Sequence, residues 1–121
     1  MGAQVCTITV IDDDPRVLES LLDLLASAGY SAEGYDSAEQ FLTAGALART
    51  SCIITDVEMG QISGLGLLQH LKQENSAIPV IIITGKPSRS ESFYLQNGAV
   101  GFFKKPVDGE ALVELVASVC K

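Results

Sequence analysis

The stretch Val5-Cys6-Thr7-Ile8-Thr9-Val10-Ile11, running straight into Asp12-Asp13-Asp14-Pro15, decides the fold. The first seven residues are apolar or β-branched and read as a strand. The acids end that strand and open a helix in the same step. Asp14 can cap the helix, Pro15 suits its first position, where no backbone N–H is needed, and Glu19 lies toward the positive helix end. Val17, Leu18, Leu21, Leu22, Leu24 and Leu25 follow at helical spacing as a broad apolar face, which reads as core rather than an interaction zipper. Gly29 supplies the stop signal. A strand feeding directly into an amphipathic helix is the opening of a βαβ unit.

The same unit recurs along the chain. A short strand over Ser31 to Tyr35 leads to Ser37, with Gln40 three residues on, a capping-box pattern. Ala38, Phe41, Leu42 and Ala46 or Leu47 can form a second buried stripe. Cys52-Ile53-Ile54-Thr55 is a third strand that ends at Asp56. A loop with Gly60 and Ser63-Gly64 precedes Leu65, Leu67, Leu68 and Leu71, a third helical face. Pro79 to Ile83 is almost wholly aliphatic, as a strand covered on both faces should be, and it runs into Thr84-Gly85. Arg89 to Gln96 reads as a fourth helix, although Ser88, Ser90 and Ser92 lend it little propensity. Ala99 to Phe103 is a fifth strand, ending at Lys104-Lys105-Pro106, and Asp108 can cap a last helix with Leu112, Leu115, Val116 and Val119 inward. Strands alternating with helices through short connections predict a parallel sheet with right-handed crossovers and helices on both faces.

Composition fits one globular α/β domain over residues 1–121. The chain is 47% hydrophobic and 19% charged, with a formal net charge of −7. That balance argues against nucleic-acid binding by this domain, since phosphate contacts need Lys and Arg in excess. It equally disfavours an anionic membrane surface. No apolar run is long enough to span a bilayer, and the N-terminus lacks the basic start and apolar stretch of a signal peptide. The three cysteines are far apart; Cys6 and Cys52 lie in apolar runs, which predicts buried free thiols rather than a metal site or a disulfide. A reducing cytoplasm is the simplest setting for them.

In an open α/β sheet, ligands bind outside the carboxyl ends of the strands. Four strands deliver Asp12 and Asp13, Asp56, Thr84 and Lys105 to that rim. Carboxylates crowded together repel, and a proton or a cation must relieve them. Mg²⁺ suits such a site, because it uses one or two carboxylates together with waters and substrate phosphate oxygens. Asp56 is then poised as a nucleophile toward a phosphoryl group. Lys105 can neutralise charge on the transferring group, and the Thr84 hydroxyl can donate to a phosphoryl oxygen. Asp14 reads as a cap and Lys104 as a solvated neighbour. His70, with no second ligand near it in sequence, reads as a surface or partly buried side chain.

The motifs Ile-Asp-Asp-Asp-Pro, Asp-Val-Glu-Met, Ser-Gly, Ile-Thr-Gly and Phe-Phe-Lys-Lys-Pro, in this order over the whole chain, resemble the receiver domains of bacterial two-component response regulators. Ile82-Ile83-Thr84-Gly85 and the segment around Ala99 most resemble regulators of the nitrogen-fixation and nodulation type. The resemblance implies a five-stranded sheet in order 2-1-3-4-5 with five helices, and phosphorylation of Asp56 by a sensor histidine kinase. It implies that Asp12 and Asp13 build the acidic pocket, and that Asp13 and Asp56 hold Mg²⁺ together with the main-chain carbonyl of Glu58. Lys105 would contact the phosphoryl group, the Lys105–Pro106 bond would be cis, and Thr84 and Phe102 would move together as a switch. The switch would reshape the face formed by the fourth helix, fifth strand and fifth helix, through which a phosphorylated homodimer would form. Such a protein is not an enzyme in the usual sense; it assists its own phosphotransfer and self-dephosphorylation. An ion pair of Glu58 with Lys86 would slow that hydrolysis.

Two departures stand out. Gly60 replaces the proline usual after the methionine, which loosens the loop, and Lys86 to Asn97 runs about one residue shorter than in close relatives. Phe102 alone would read as core. Two rival functions fit parts of the pattern. Asp56-Val57-Glu58 superficially matches a haloacid-dehalogenase-like phosphatase, but the acidic pair comes first here and no cap segment exists. A phosphorylation-independent interaction module would tolerate loss of a key residue, whereas Asp13, Asp56, Thr84 and Lys105 are all present. The 121 residues are compatible with a stand-alone regulator and with the N-terminal part of a longer, transcription-regulating one.

Overall fold

A computed structural model describes residues 6–57, 64–85 and 89–120. The strands are β1 (Thr7–Ile11), β2 (Ser31–Tyr35), β3 (Cys52–Asp56), β4 (Val80–Thr84) and β5 (Gly101–Lys104). The helices are α1 (Pro15–Ser27), α2 (Ala38–Thr43), α3 (Gly64–Gln73), α4 (Glu91–Gln96) and α5 (Gly109–Val119), with a 3₁₀ turn at Ala46–Arg49. All strand pairs are parallel, in the order β2-β1-β3-β4-β5. This is the expected architecture.

Local chemistry explains the boundaries. Asp14 caps α1 through its side chain, which accepts from the Arg16 N–H at 2.9 Å, and Pro15 occupies the first turn. Ser37 accepts from the Gln40 N–H at 3.0 Å, while the Gln40 side chain accepts from the Asp36 N–H at 3.1 Å. That is the reciprocal capping pattern moved back by one donor. Asp108 caps α5 through the Ala111 N–H. Gly29 closes α1 at φ 93°, a backbone region that L side chains rarely enter.

Several edges differ from the expectation: β1 starts at Thr7, with Cys6 before the strand rather than in it. β4 starts at Val80 because Pro79 has no N–H to donate, although its carbonyl still accepts from Ile53. β5 starts at Gly101, after the turn through Gly98 at φ 108°. α4 is only six residues, starting at Glu91 behind its Ser90 cap rather than at Arg89.

Two cores sandwich the sheet. On one face Ile11, Ile53, Val80 and Ile82 pack with Phe41 of α2, Leu67, Leu68 and Leu71 of α3, and Tyr94 of α4. On the other, Ile8, Val10, Ile54, Ile81 and Ile83 pack with Leu21 and Leu25 of α1 and Leu112 and Val116 of α5. β3 and β4 are buried along their whole length, which is why both are near-continuous aliphatic runs. No helix among the described residues is long and apolar enough to cross a membrane.

The cysteine expectation needs one correction. Cys52 is a buried free thiol, but Cys6 is joined to Cys120 by a disulfide across 114 residues of chain, with their Cα atoms 6.1 Å apart. α5 runs back across the sheet, so Cys120, the residue after its end, returns to the start of β1. Spacing along the chain conceals this neighbourhood.

Candidate functional site

Strand alternation decides which side chains meet at the rim. On β1, Ile8 and Val10 face α1 and α5, and the next residue of that parity is Asp12. On β3, Cys52 and Ile54 face the same way, followed by Asp56; on β5, Phe103 does so, followed by Lys105. The opposite parity carries Ile82 and then Thr84 on β4, and Phe102 on β5. Asp12, Asp56 and Lys105 therefore belong to one side of the sheet edge, and Thr84 and Phe102 to the other.

The hydrogen-bond ladder continues past the strand ends and holds this rim in place. The Asp12 N–H donates to the Tyr35 carbonyl at 3.1 Å, the Val57 N–H to Ile83 at 3.3 Å, and the Lys105 N–H to Thr84 at 2.8 Å. Lys105 is followed by Pro106 through a cis peptide bond, as expected.

Lys105 joins the carboxylates. Its ammonium donates to Asp56 Oδ2 at 2.7 Å and sits 2.8 Å from Asp12 Oδ2. The second contact is an ion pair nearly as close as the first. Asp12 Oδ2, buried within the protein, has the Lys105 ammonium as its charged partner. The other oxygen, Oδ1, accepts from the Asp14 N–H at 2.9 Å. Asp14 itself turns away to cap α1 and stays out of the pocket.

Burial sets the electrostatics. Asp12 is 0% exposed, Asp56 7% and Thr84 1%, whereas Asp13 is open to solvent. Burial pushes the Asp12 carboxyl above its ordinary range, against the lowering effects of Lys105 and the Asp14 N–H. Burial also acts against the Lys105 ammonium, but the Asp12 and Asp56 carboxylates outweigh it and hold the group above its usual range. The ammonium stays charged at neutral pH.

Asp12, Asp13 and Asp56 each offer a carboxylate oxygen, and these three atoms lie within 4.8 Å of one another. All are hard oxygen donors. That donor set fits a hard divalent cation such as Mg²⁺. Glu58, whose carbonyl was expected as a further ligand, lies outside the described residues, as do Gly60 and Lys86.

Phe102 is half-buried rather than sealed in the core, and its ring stacks on Tyr94 with centroids 5.6 Å apart. Tyr94, 3% exposed, is the neighbour that sequence reading missed; an aromatic on a short, serine-rich helix offered little periodicity to find it. Lys104 is exposed and His70 half-buried on α3, as expected.

Comparison with known proteins points the same way. Residues 8–117 match the family model described as the response regulator receiver domain. The chain is 42% identical over 112 residues to the transcriptional regulatory protein FixJ of Azorhizobium caulinodans, covering 90% of this chain and 52% of that protein. It is 36% identical over 124 residues to the response regulator protein TodT of Pseudomonas putida, covering 100% and 54%. Among solved structures, FixJ-N superposes with a TM-score of 0.85 at 29% identity, covering 98% of this chain and 95% of that one. The response regulator StyR gives 0.87 at 31% identity, covering 96% and 59%. The chain spans about half the length of the curated relatives it matches.

Proposed function

The chain belongs to the family of response regulator receiver domains and resembles the FixJ type, and on that premise we propose that Asp56 is its phosphoacceptor, charged by a sensor histidine kinase. This membership leaves the haloacid-dehalogenase-like reading without support. The observation that carries the proposal is the Lys105 ammonium, 2.7 Å from Asp56 Oδ2 at the carboxyl edge of the sheet.

A carboxylate oxygen of Asp56 forms the new bond to phosphorus as the bond from phosphorus to the donor's imidazole nitrogen breaks. Such a transfer depends on alignment and on neutralised charge more than on covalent chemistry by the protein. β3 supplies the alignment, because Asp56 closes a strand buried along its whole length. Lys105 shifts from pairing with a carboxylate to pairing with the phosphoryl oxygens. Asp12, Asp13, Asp56 and the Glu58 carbonyl would hold Mg²⁺, which supplies charge neutralisation when bound. The same pocket, open to water on the Asp13 side, would let the acyl phosphate hydrolyse and reset.

Phosphorylation would draw the Thr84 hydroxyl to the phosphoryl group and let Phe102 follow into the space behind it. What supports this is that Thr84 and Phe102 have the same strand parity, and that Phe102 stacks on Tyr94. The modification shifts the equilibrium only by the contacts it adds in the active state, here from Thr84 and Lys105. The face of α4, β5 and α5 would then pair two chains; Leu95 and Val100, 40% and 41% exposed, lie on or beside it. The kinase would approach along the groove of about 380 Å³ between α1 and the segment after β5, where Val17, Leu21 and Val107 flank Lys105. In a longer protein like the transcriptional regulatory protein FixJ, the output would be transcription regulation in the cytoplasm, with DNA contacted outside this acidic domain.

The test is transfer of labelled phosphoryl from a phosphohistidine donor with Mg²⁺. Wild-type protein takes up label and Asp56→Asn takes up none. Labelling of Asp56→Asn at the wild-type level would overturn the assignment.

A further inference from the structure

Outside the pocket, the chemically distinctive feature is the pair Cys6 and Cys120, at the opposite end of the sheet. We propose that this pair is a reversible thiol modification site, a redox clasp that opens and closes between the start of β1 and the end of α5. Neither the phosphotransfer chemistry nor the switch uses it, so the proposal stands independently of the functional reading above.

Three observations carry it. First, the two Cα atoms are 6.1 Å apart, within the span that a disulfide bridges without moving backbone. Second, both residues are half-buried rather than sealed in the core as Cys52 is, and they lie where the chain enters β1 and leaves α5. Third, the remaining cysteine is set apart. Cys52 lies at 0% exposure on β3, and burial pushes its thiol up to about 12, so it forms almost no thiolate at neutral pH. Exchange is thereby directed to one pair.

The chemistry balances as ordinary thiol–disulfide exchange. To close, the two thiols lose two protons and two electrons to a disulfide oxidant such as oxidised glutathione, which becomes two thiols. To open, a thiolate of a dithiol attacks one sulfur, and the mixed disulfide is then resolved by the second thiol, releasing both cysteines. In a reducing compartment the clasp stands open, and an oxidising challenge closes it.

Closing matters because the link spans 114 residues, nearly the whole chain. A bridge over so long a segment removes much of the freedom of the unfolded state. It also anchors the last turn of α5, where the Cys120 N–H donates to the Val116 carbonyl at 2.9 Å. The end of α5 is therefore held firmly in the oxidised form and released in the reduced one, whatever the state of Asp56.

The experiment equilibrates the folded full chain in glutathione buffers of varied ratio, then traps free thiols and maps them by mass. Thermal unfolding is followed in parallel. Oxidation should protect Cys6 and Cys120 together, leave Cys52 an unmodified thiol until the protein is unfolded, and raise Tm by about 10 °C. Cys120→Ser should melt at the reduced temperature in every buffer, and Cys6→Ser likewise, which separates loss of the clasp from a packing defect at one position. The proposal fails if oxidation pairs Cys52 or links separate chains. It fails equally if no pair forms, or if Tm is the same in the oxidised and reduced forms.

Discussion

Replacing Lys105 by methionine keeps most of the side-chain stem and removes the cation that faces Asp12 and Asp56. At 2.7 and 2.8 Å, each pairing is worth about 6 kcal/mol of gross attraction at an effective dielectric of about 20. Against that stand the desolvation of the ammonium and about 2 kcal/mol of side-chain freedom lost in holding it. Breaking a sealed pair costs about 3–5 kcal/mol. The pocket is not sealed: Asp13 is open to solvent and the Lys105 side chain is 20% exposed. Water and proton uptake offset part of the loss, and the expected net destabilisation is about 2 kcal/mol, or about 8 °C in Tm.

The assay is urea unfolding of both proteins at neutral pH in EDTA, with the cysteines held in one state. Its pH dependence has a definite sign. The folded Asp12 carboxyl lies above its unfolded value of 3.8 because of burial, so its contribution is fully favourable below that value and is lost as pH rises through the folded one. Without Lys105 the folded value rises further, and Lys105→Met should recover part of its deficit as pH falls from neutral. Mg²⁺ should recover part of it as well. A deficit under about 0.5 kcal/mol at neutral pH in EDTA would refute the assignment of Lys105 as the pocket's counter-charge.

Asp13→Asn removes an exposed ligand charge without disturbing the core, and should weaken Mg²⁺ binding about tenfold or more by calorimetry at unchanged Tm; unaltered affinity would remove Asp13 from the ligand set. Gly101→Ala drives a methyl group onto the Leu115 side chain behind β5 and should cost about 1–2 kcal/mol. Leu115→Ala combined with it should be less destabilising than the two single changes summed, and strict additivity would contradict the contact.

Most of the fold was legible because the decisive signals are local. Asp14-Pro15, Ser37 with Gln40, and Asp108 each mark a helix start through a bond that spans two or three residues. The aliphatic runs of β3 and β4 announce strands buried on both faces. Asp12, Asp56 and Lys105 were legible as a group because a parallel sheet sends the end of every strand to one edge. What escaped is tertiary. The Cys6–Cys120 link depends on where α5 returns, and the stacking of Phe102 on Tyr94 depends on a six-residue helix with weak propensity of its own. Pro79 and Gly98 moved the strand starts by chemistry that an apolar-run count ignores.

Chemical mapping of the modified residue bears most directly on the idea that this pocket exists to phosphorylate one carboxylate. Protein charged by a phosphohistidine donor with Mg²⁺ is reduced with borohydride, which converts an aspartyl phosphate to homoserine, and its peptides are sequenced by mass. Homoserine at position 56 alone is the predicted result. Conversion at Asp12 or Asp13, or stable phosphate on His70 with position 56 intact, would contradict it.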